Sequence, residues 1–180
     1  METKELHKHL SKFGRDVVKV SKSNLTRKGM KDSGALYNSI RYELDASPNS
    51  FNLGLFMEDH GRYLDEGVRG AKSSSRAPNS PFKFGTGTSK GSKSMASIMA
   101  DWAKRKGLQW KDKDTGRFMS HASMGFLIAR SKYNKGVAPS LFFTKPFEAA
   151  FKRLPDELVE RFALDVEKML KHTLKDTLKK

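Results

Sequence analysis

The spacing of apolar residues changes abruptly within the first third of the chain. Between residues 3 and 25 the apolar side chains recur every three or four positions, at Leu6, Leu10, Phe13, Val17 and Val20. This spacing predicts an amphipathic helix that Thr3 can cap and that ends at Gly29 and the turn Asp32-Ser33-Gly34.

The apolar residues that follow alternate with polar ones, which is the pattern of a β-strand with one buried face. They are Ile40, Tyr42 and Leu44 in a first stretch and Phe51, Leu53, Leu55 and Met57 in a second. Because the turn residues Ser47-Pro48-Asn49-Ser50 separate the two stretches, we predict a β-hairpin. The apolar stripe of the helix and the apolar face of the hairpin must both be buried, which indicates an α+β fold.

Residues 70–93 interrupt this pattern with a stretch rich in Ser, Gly, Lys and Pro. Its sizeable apolar side chains, Phe82 and Phe84, are too few to offset the entropy of ordering, so we expect a long flexible loop. Two helices are predicted after it, from Ser94 to Gly107 and from Ser120 to Gly136 and Pro139. Their inward residues are expected to be Met95, Ile98, Met99 and Trp102 in the first helix and Met124, Leu127 and Ile128 in the second.

The last part of the chain predicts a short extended run at Leu141-Phe142-Phe143 before the constrained Lys145-Pro146 step. Residues 147–154 can form a turn or two of helix, and Pro155 suits a fresh helix start. The apolar stripe of this last helix is Leu158, Phe162, Val166, Met169 and Leu170.

The predicted fold class is therefore α+β. It comprises a small antiparallel β-sheet with a long N-terminal helix, a long C-terminal helix and two inserted helices packed on it, and a long basic loop. We expect a single domain over residues 1–180, with the flexible loop at about 70–93 and a helical insertion at about 94–136.

The chain is strongly basic, with a net charge of +15 and no cysteine. This charge favours anionic partners such as nucleic acid, acidic protein surfaces or anionic lipid, although a solvated basic surface is an equally open interpretation. No apolar run approaches the roughly 20 residues that cross a bilayer, so we expect no membrane association. No apolar stretch follows the first charged residues, so we expect no signal peptide and assembly in a cytoplasm.

We find no pattern of catalytic or metal-binding residues. The histidines His7, His9, His60, His121 and His172 match no metal-ligand spacing. The acidic clusters Glu58-Asp59-His60 and Asp65-Glu66 lack a recognisable hydrolytic arrangement. In the Gly-rich segment, Ser92 separates Gly91 from Lys93, so the phosphate-binding pattern GxxxxGK[ST] is not met. We therefore expect a protein that is not an enzyme and uses no metal, cofactor or small-molecule substrate.

Three segments resemble the tail-completion or head–tail joining (neck) proteins of tailed bacteriophages. The first is Ser33-Gly34-Ala35-Leu36-Tyr37-Asn38-Ser39-Ile40, similar to the family's step from the first helix into the first strand. The second, Tyr63-Leu64-Asp65-Glu66-Gly67-Val68, resembles its Tyr-x-x-x-Glu-Gly segment before a long variable loop. The third, Phe142-Phe143-Thr144-Lys145-Pro146-Phe147, resembles the Lys-Pro-Phe start of the last helix. Residues 70–140 are longer than in compact members of the family.

The resemblance implies a structural virion protein of the neck, assembled in the host cytoplasm. Members of the family form a ring of copies between the portal or adaptor proteins and the tail proteins, around the channel for genomic DNA. The residues that carry the resemblance are interpreted as fold positions: Gly34, Leu36, Ser39, Ile40, Tyr63, Glu66, Gly67, Pro146 and Phe147. Whether the basic charge faces DNA or acidic partner proteins is left open by the sequence.

Two other functions remain as alternatives. One is a sequence-independent nucleic-acid-binding protein, suggested by the charge alone. The other is a small nuclease or toxin that uses Glu58, Asp59 or His60. The loop is predicted to be an assembly arm outside the folded core, with Phe82 and Phe84 as anchors in a basic segment. Its expected contact residues are Lys72, Arg76, Phe82, Lys83, Phe84, Lys90 and Lys93.

Overall fold

The computed structural model describes residues 3–47, 50–85 and 93–161. The chain mixes helices with small antiparallel sheets, which agrees with the predicted α+β class. Its contacts divide it into two compact units. Unit 1 comprises residues 1–65 and 140–180, and unit 2 comprises residues 66–139. The single domain expected over residues 1–180 stays a prediction.

The long N-terminal helix of unit 1 is confirmed as α1, Thr3–Arg27. Leu6, Phe13 and Val17 are buried as predicted, but Val20 is 40% exposed. The buried positions one turn further along are Ser21 and Leu25. From Val17 the buried side of the helix continues in steps of four residues and not in a step of three, because four is closer than three to the 3.6 residues of a helical turn. Past the helix end, Gly29 has a positive φ of 64°, as a left-handed terminator does.

A short helix, α2 (Ala35–Ser39), leads into the hairpin of β1 (Arg41–Ser47) and β2 (Ser50–Phe56). The strands pair antiparallel, with Tyr42 opposite Leu55 and Leu44 opposite Leu53. These four side chains are half-buried, while Glu43 and Asp45 between them are exposed, so the predicted hairpin with one covered face is confirmed. The turn residues Pro48 and Asn49 lie outside the described residues.

Gly34 precedes α2 with φ 90° and ψ −5°, a left-handed conformation. A β-carbon there would meet its nearest neighbour, the side-chain nitrogen of Asn38, at 3.7 Å. The position therefore requires glycine because of its backbone angles and not because a side chain would clash.

The rest of unit 1 consists of α3 (His60–Glu66, whose last residue belongs to unit 2), α6 (Thr144–Phe151) and α7 (Asp156–Arg161). The extended run predicted at Leu141-Phe142-Phe143 is wrong. Leu141 has a positive φ of 51°, and Phe142 and Phe143 form a turn that delivers both rings to the core. The break after α6 and the start of α7 just after Pro155 agree with the sequence pattern. Residues 162–180, with the rest of the predicted stripe, lie outside the described residues.

Aromatic packing joins α1 to α6. Phe147 is fully buried, and its ring centre lies 5.3 Å from that of Phe13 at nearly a right angle. Phe143 and Phe151 flank the same ring at 6.1 and 6.4 Å. The core continues through Leu6, Val17, Leu25, Leu36, Ile40, Met57, Phe142, Leu154 and Leu158. Leu36, Ile40, Pro146 and Phe147 are thus buried positions of the fold.

Unit 2 contains α4 (Met95–Arg105), α5 (His121–Lys135) and a small sheet of β3 (Val68–Arg69) and β4 (Gly136–Val137). The predicted caps are present, since Ser94 and Ser120 accept hydrogen bonds from the amides of Ser97 and Ser123. The helices α4 and α5 pack against each other. Two predicted inward residues are wrong, because Ile98 is 46% and Leu127 is 41% exposed. Ala103, Met124, Gly125 and Ala129 are buried.

No helix in the described parts of the chain is both long enough and apolar enough to span a membrane.

Candidate assembly surfaces

The acidic segments considered for catalysis have different environments. Glu58, Asp59 and His60 are exposed. The backbone amide of Glu58 donates to Ser39 Oγ at 3.0 Å, and that hydroxyl donates to the carbonyl of Leu36 at 2.9 Å. Ser39 therefore ties α2 to the end of the hairpin. Within the described ranges, no group of three or more His, Asp or Glu side chains is placed to hold a metal ion.

Asp65, at the end of α3, is fully buried. Its Oδ1 accepts hydrogen bonds from the backbone amides of Phe143 at 2.8 Å and Thr144 at 3.3 Å, and its Oδ2 accepts from the Thr144 hydroxyl at 2.5 Å. These amides begin α6, where a helix has donors without internal acceptors and where its dipole favours negative charge. Asp65 thus caps a helix that starts 79 residues further along the chain.

Burial raises the pKa of Asp65, and the hydrogen bonds from Thr144 and Phe143 oppose this effect without overcoming it. The surrounding backbone is also tied together. Ser140 Oγ donates to the carbonyl of Leu64 at 2.6 Å, and Lys28 Nζ donates to the carbonyl of Ser140. The second and third segments of the sequence resemblance therefore meet at Asp65. The sequence shows Asp65 in an acidic pair and in the second segment, but no local signal links it to Thr144.

The other motif residues near Asp65 have separate roles. Tyr63 is 44% exposed and Glu66 is half-buried. Gly67 has a positive φ of 74°, and a β-carbon there would lie 2.6 Å from the carbonyl oxygen of Val137. Gly67 therefore allows close backbone approach within unit 2, beside the small sheet of β3 and β4.

Unit 1 has a cleft of about 200 Å³ beside α2, lined by Leu25, Met30, Gly34, Leu36, Tyr37 and His60 among others. The ammonium groups of Lys31 and Lys22 lie 4.2 and 5.3 Å from the centre of the Tyr37 ring. Since the residues of the first motif line this cleft, they shape a surface of unit 1 as well as its core.

The basic loop is only partly what the sequence predicts. Residues 70–85 are irregular, but backbone hydrogen bonds hold them to the rest of unit 2. Ala71 N donates to Tyr133 O at 2.8 Å, Phe84 N donates to Arg69 O at 3.0 Å, and Ser80 Oγ donates to Gly67 O at 2.8 Å. Ala77 and Ser80 are buried. The prediction of an arm outside the folded core is therefore corrected for residues 70–85.

The expected contact residues of this loop are distributed differently. Lys72, Arg76 and Lys83 are exposed, whereas Phe82 and Phe84 are half-buried. The ring centre of Phe84 lies 5.9 Å from that of Tyr133, so this anchor already packs within unit 2. Lys93 Nζ lies 3.4 Å from a carboxylate oxygen of Asp101. Lys90 falls in residues 86–92, outside the described residues.

The positive charge is concentrated in unit 2. Residues 66–139 contain 15 Lys and Arg against four Asp and Glu, a formal net charge of +11. The remaining residues contain 20 against 16, a net charge of +4. One local effect is visible at Lys132, where burial and then the positive charge of Arg76 lower the pKa of the ammonium group. Unit 2 is therefore the part of the chain that favours an anionic partner.

The helix α5 carries apolar side chains on both of its sides. Met124 and Ala129 are buried on one side. On the other, Phe126 is 55%, Leu127 41% and Tyr133 44% exposed, and Arg130 lies between them on the same helix face. We call these four residues the α5 outer face.

Beyond α4, the chain forms a short hairpin-like turn around residues 110–119. Met119 N donates to Trp110 O at 2.8 Å, Asp112 N donates to Arg117 O at 2.8 Å, and Lys111 is bridged antiparallel to Phe118. Trp110 is 40% and Phe118 66% exposed. Both aromatic side chains of this turn are therefore exposed.

Comparison with protein-family models, with curated proteins and with solved structures gave no match to this chain.

Proposed function

We propose that this chain is a structural protein of the neck of a tailed bacteriophage, which joins the portal or adaptor end of the capsid to the tail. The three sequence segments that resemble such proteins support this proposal. Their residues have coherent roles in one fold: Gly34 and Ser39 shape the step into the hairpin, Pro146 lies in the first turn of α6, and Phe147 anchors that helix in the core.

The observation that carries an assembly role is the α5 outer face. Single exposed apolar residues are normal on protein surfaces, but three large ones along one face of one helix indicate a surface that is covered in use. Aromatic residues and arginine are also enriched at the interface positions that contribute most of the binding energy. Phe126, Leu127, Arg130 and Tyr133 have this composition.

The finer features of the proposal follow the family. Copies of the chain form a ring between adaptor and tail proteins in the virion. In a ring each subunit uses two different faces, and the α5 outer face is one of them in this proposal.

The test is a phage whose genome encodes this chain with Phe126→Asp and Leu127→Asp together. A charge placed in an apolar interface must be desolvated, so we expect filled heads and separate tails that fail to join. The matched control is Val20→Asp on α1, since Val20 is 40% exposed and Leu127 is 41% exposed. This control should yield joined, infectious particles.

Thermal unfolding of both purified variants should stay within a few degrees of the parent, because the substituted side chains are exposed. Joined infectious particles from the α5 variant would contradict the proposed interface. Electron cryomicroscopy of the parent particle without density for this chain at the neck would contradict the proposed function itself.

A second candidate function is sequence-independent binding of nucleic acid, and the +11 charge of unit 2 favours it. Such binding weakens steeply with salt, since the release of counterions drives it.

A further inference from the structure

The segment 104–118 combines basic and aromatic side chains on one largely exposed element, which we call the basic finger. It begins with the last turn of α4, and Gly107, with a positive φ of 63°, redirects the chain. Leu108 N donates to Ala103 O at 3.0 Å, which anchors the base of the finger to α4. The hairpin-like turn around residues 110–119 follows.

One acidic side chain holds the tip of the finger together. Asp112 Oδ1 accepts hydrogen bonds from Thr115 N and Thr115 Oγ1, each at 2.9 Å, and from Asp114 N at 3.1 Å. These bonds, first of all that from the Thr115 amide, lower the pKa of Asp112. Gly116 completes the turn with a positive φ of 66°. This carboxylate is therefore engaged in local structure.

The basic finger carries more cations than those in the last turn of α4. It contains six basic residues and two acidic ones, Asp112 and Asp114. Lys104 and Arg105 lie in the last turn of α4, where the helix dipole favours cations. Lys106, Lys111, Lys113 and Arg117 lie beyond that turn and are exposed. Cations crowded on one exposed element repel one another, and a polyanion relieves this repulsion.

The aromatic side chains lie on opposite faces of the finger. Because Trp110 is paired with Met119 and Lys111 with Phe118, alternation puts Trp110 and Arg117 on one face and Lys111 and Phe118 on the other. Lys111 Nζ lies 5.1 Å from the centre of the Phe118 ring. One face thus presents Phe118 with the Lys111 ammonium group beside its ring, and the other face presents Trp110 and Arg117.

We infer that the basic finger binds nucleic acid without sequence specificity, with its cations on the phosphates and with Trp110 and Phe118 stacked on unpaired bases. Proteins that bind single-stranded nucleic acid combine cations for the phosphates with aromatic rings on which bases stack. An acidic protein is a less suitable partner, because the strongly exposed apolar groups of the finger are aromatic while its one aliphatic side chain, Leu108, is half-buried. This inference rests on the second candidate function and supplies its binding site.

The experiment uses the full chain with Trp102→Phe, so that Trp110 is the one remaining tryptophan. A single-stranded oligothymidine of about 15 nucleotides is added at low salt and Trp110 fluorescence is followed. We expect quenching, and an affinity that falls linearly on a logarithmic scale as salt rises. A duplex of the same length should bind more weakly and quench less, because its bases are already stacked.

Two charge-reversal variants locate the site. Lys104→Glu, Lys111→Glu and Arg117→Glu together should weaken binding at least about 100-fold and lower the salt slope by about 2, since each lost phosphate contact removes about 0.7. The matched control reverses Lys12, Arg15 and Lys19 on α1, which are also two lysines and one arginine and are all exposed. That control should weaken binding by less than about threefold, because it changes only the long-range field. Phe118→Ala should cost about tenfold.

Several results would overturn the inference. No quenching at low salt with either oligonucleotide excludes it, and equal losses in the two charge-reversal variants exclude the finger as the site. Quenching by polyglutamate as strong as that by oligothymidine identifies an acidic protein as the partner instead. Equal affinity for duplex without quenching rules out stacking. None of these results bears on whether the α5 variant joins heads to tails, so failure of the inference and failure of the neck function are separately visible.

Discussion

Replacing Asp65 with alanine is expected to lower the free energy of unfolding by about 3 kcal/mol, since a buried donor left without an acceptor costs about 1–3 kcal/mol. The substitution leaves the Phe143 and Thr144 amides and the Thr144 hydroxyl without this acceptor. It also removes the cap of α6, the helix that carries Phe147 into the core. Chemical denaturation monitored by circular dichroism measures the effect.

Asp65→Asn is the matched control, because it keeps the size of the side chain and one acceptor oxygen. We expect it to cost about 1 kcal/mol, the net worth of one ordinary hydrogen bond. If the alanine and asparagine variants unfold at the same denaturant concentration, the carboxylate is not the cap that the distances indicate.

The same pair of proteins gives a pH dependence. Burial places the folded-state pKa of Asp65 above the ordinary value of 3.8, so the folded chain binds more protons than the unfolded chain between these two pKa values. The parent should therefore gain stability relative to Asp65→Asn as the pH falls through the folded pKa towards 3.8, and lose that gain as the pH rises again. An opposite slope of the difference in unfolding free energy would contradict the dominance of burial over the hydrogen bonds.

Replacing Gly136 with alanine is expected to destabilise unit 2 by about 3 kcal/mol or more, since both backbone strain and overlap oppose it. Gly136 has φ 82° and ψ 179°, which is essentially a glycine-only conformation. A β-carbon there would overlap Val68 O and lie 2.6 Å from Gly70 N, and these are backbone atoms that cannot rotate away. Hydrogen exchange should show lost protection in α5 and in the pair β3–β4.

The control for this prediction is Gly107→Ala in the same unit. Gly107 also has a positive φ, 63°, but a β-carbon there meets nothing within 4 Å. Only the cost of the left-handed backbone remains, about 1 kcal/mol. Similar destabilisation by the two substitutions would show that β3 and β4 are packed less closely around Gly136 than the distances indicate.

The parts of the fold that could be predicted are those in which a local pattern suffices. The period of three to four residues in α1, the alternation in β1 and β2, and the Ser94 and Ser120 caps all involve neighbours in sequence. Val20 was predicted wrongly because the spacing of apolar residues alone does not determine which of the adjacent positions 20 and 21 faces the core.

The parts that could not be predicted depend on backbone hydrogen bonds and on partners far away in sequence. Residues 70–85 have few apolar side chains, but amides and carbonyls of Arg69 and Tyr133 order them, and composition does not report such bonds. The capping role of Asp65 could not be predicted either, since the groups that donate to it belong to residues 143 and 144. The six cations of the basic finger are visible in the sequence, whereas the opposite placement of Trp110 and Phe118 needs the register of the turn.

The hydrogen bonds beside Asp65 also bear on how such a chain can change over time. Ser140 N donates to Leu64 O at 3.1 Å and Leu141 N donates to Asp65 O at 3.0 Å, so the residues that flank unit 2 are held side by side within unit 1. An inserted segment that leaves and re-enters a folded unit at neighbouring residues can be replaced by another segment, because the two ends that must be connected are already close. Residues 66–139 are in this sense a cassette, whose length and charge can change without altering the aromatic core around Phe147.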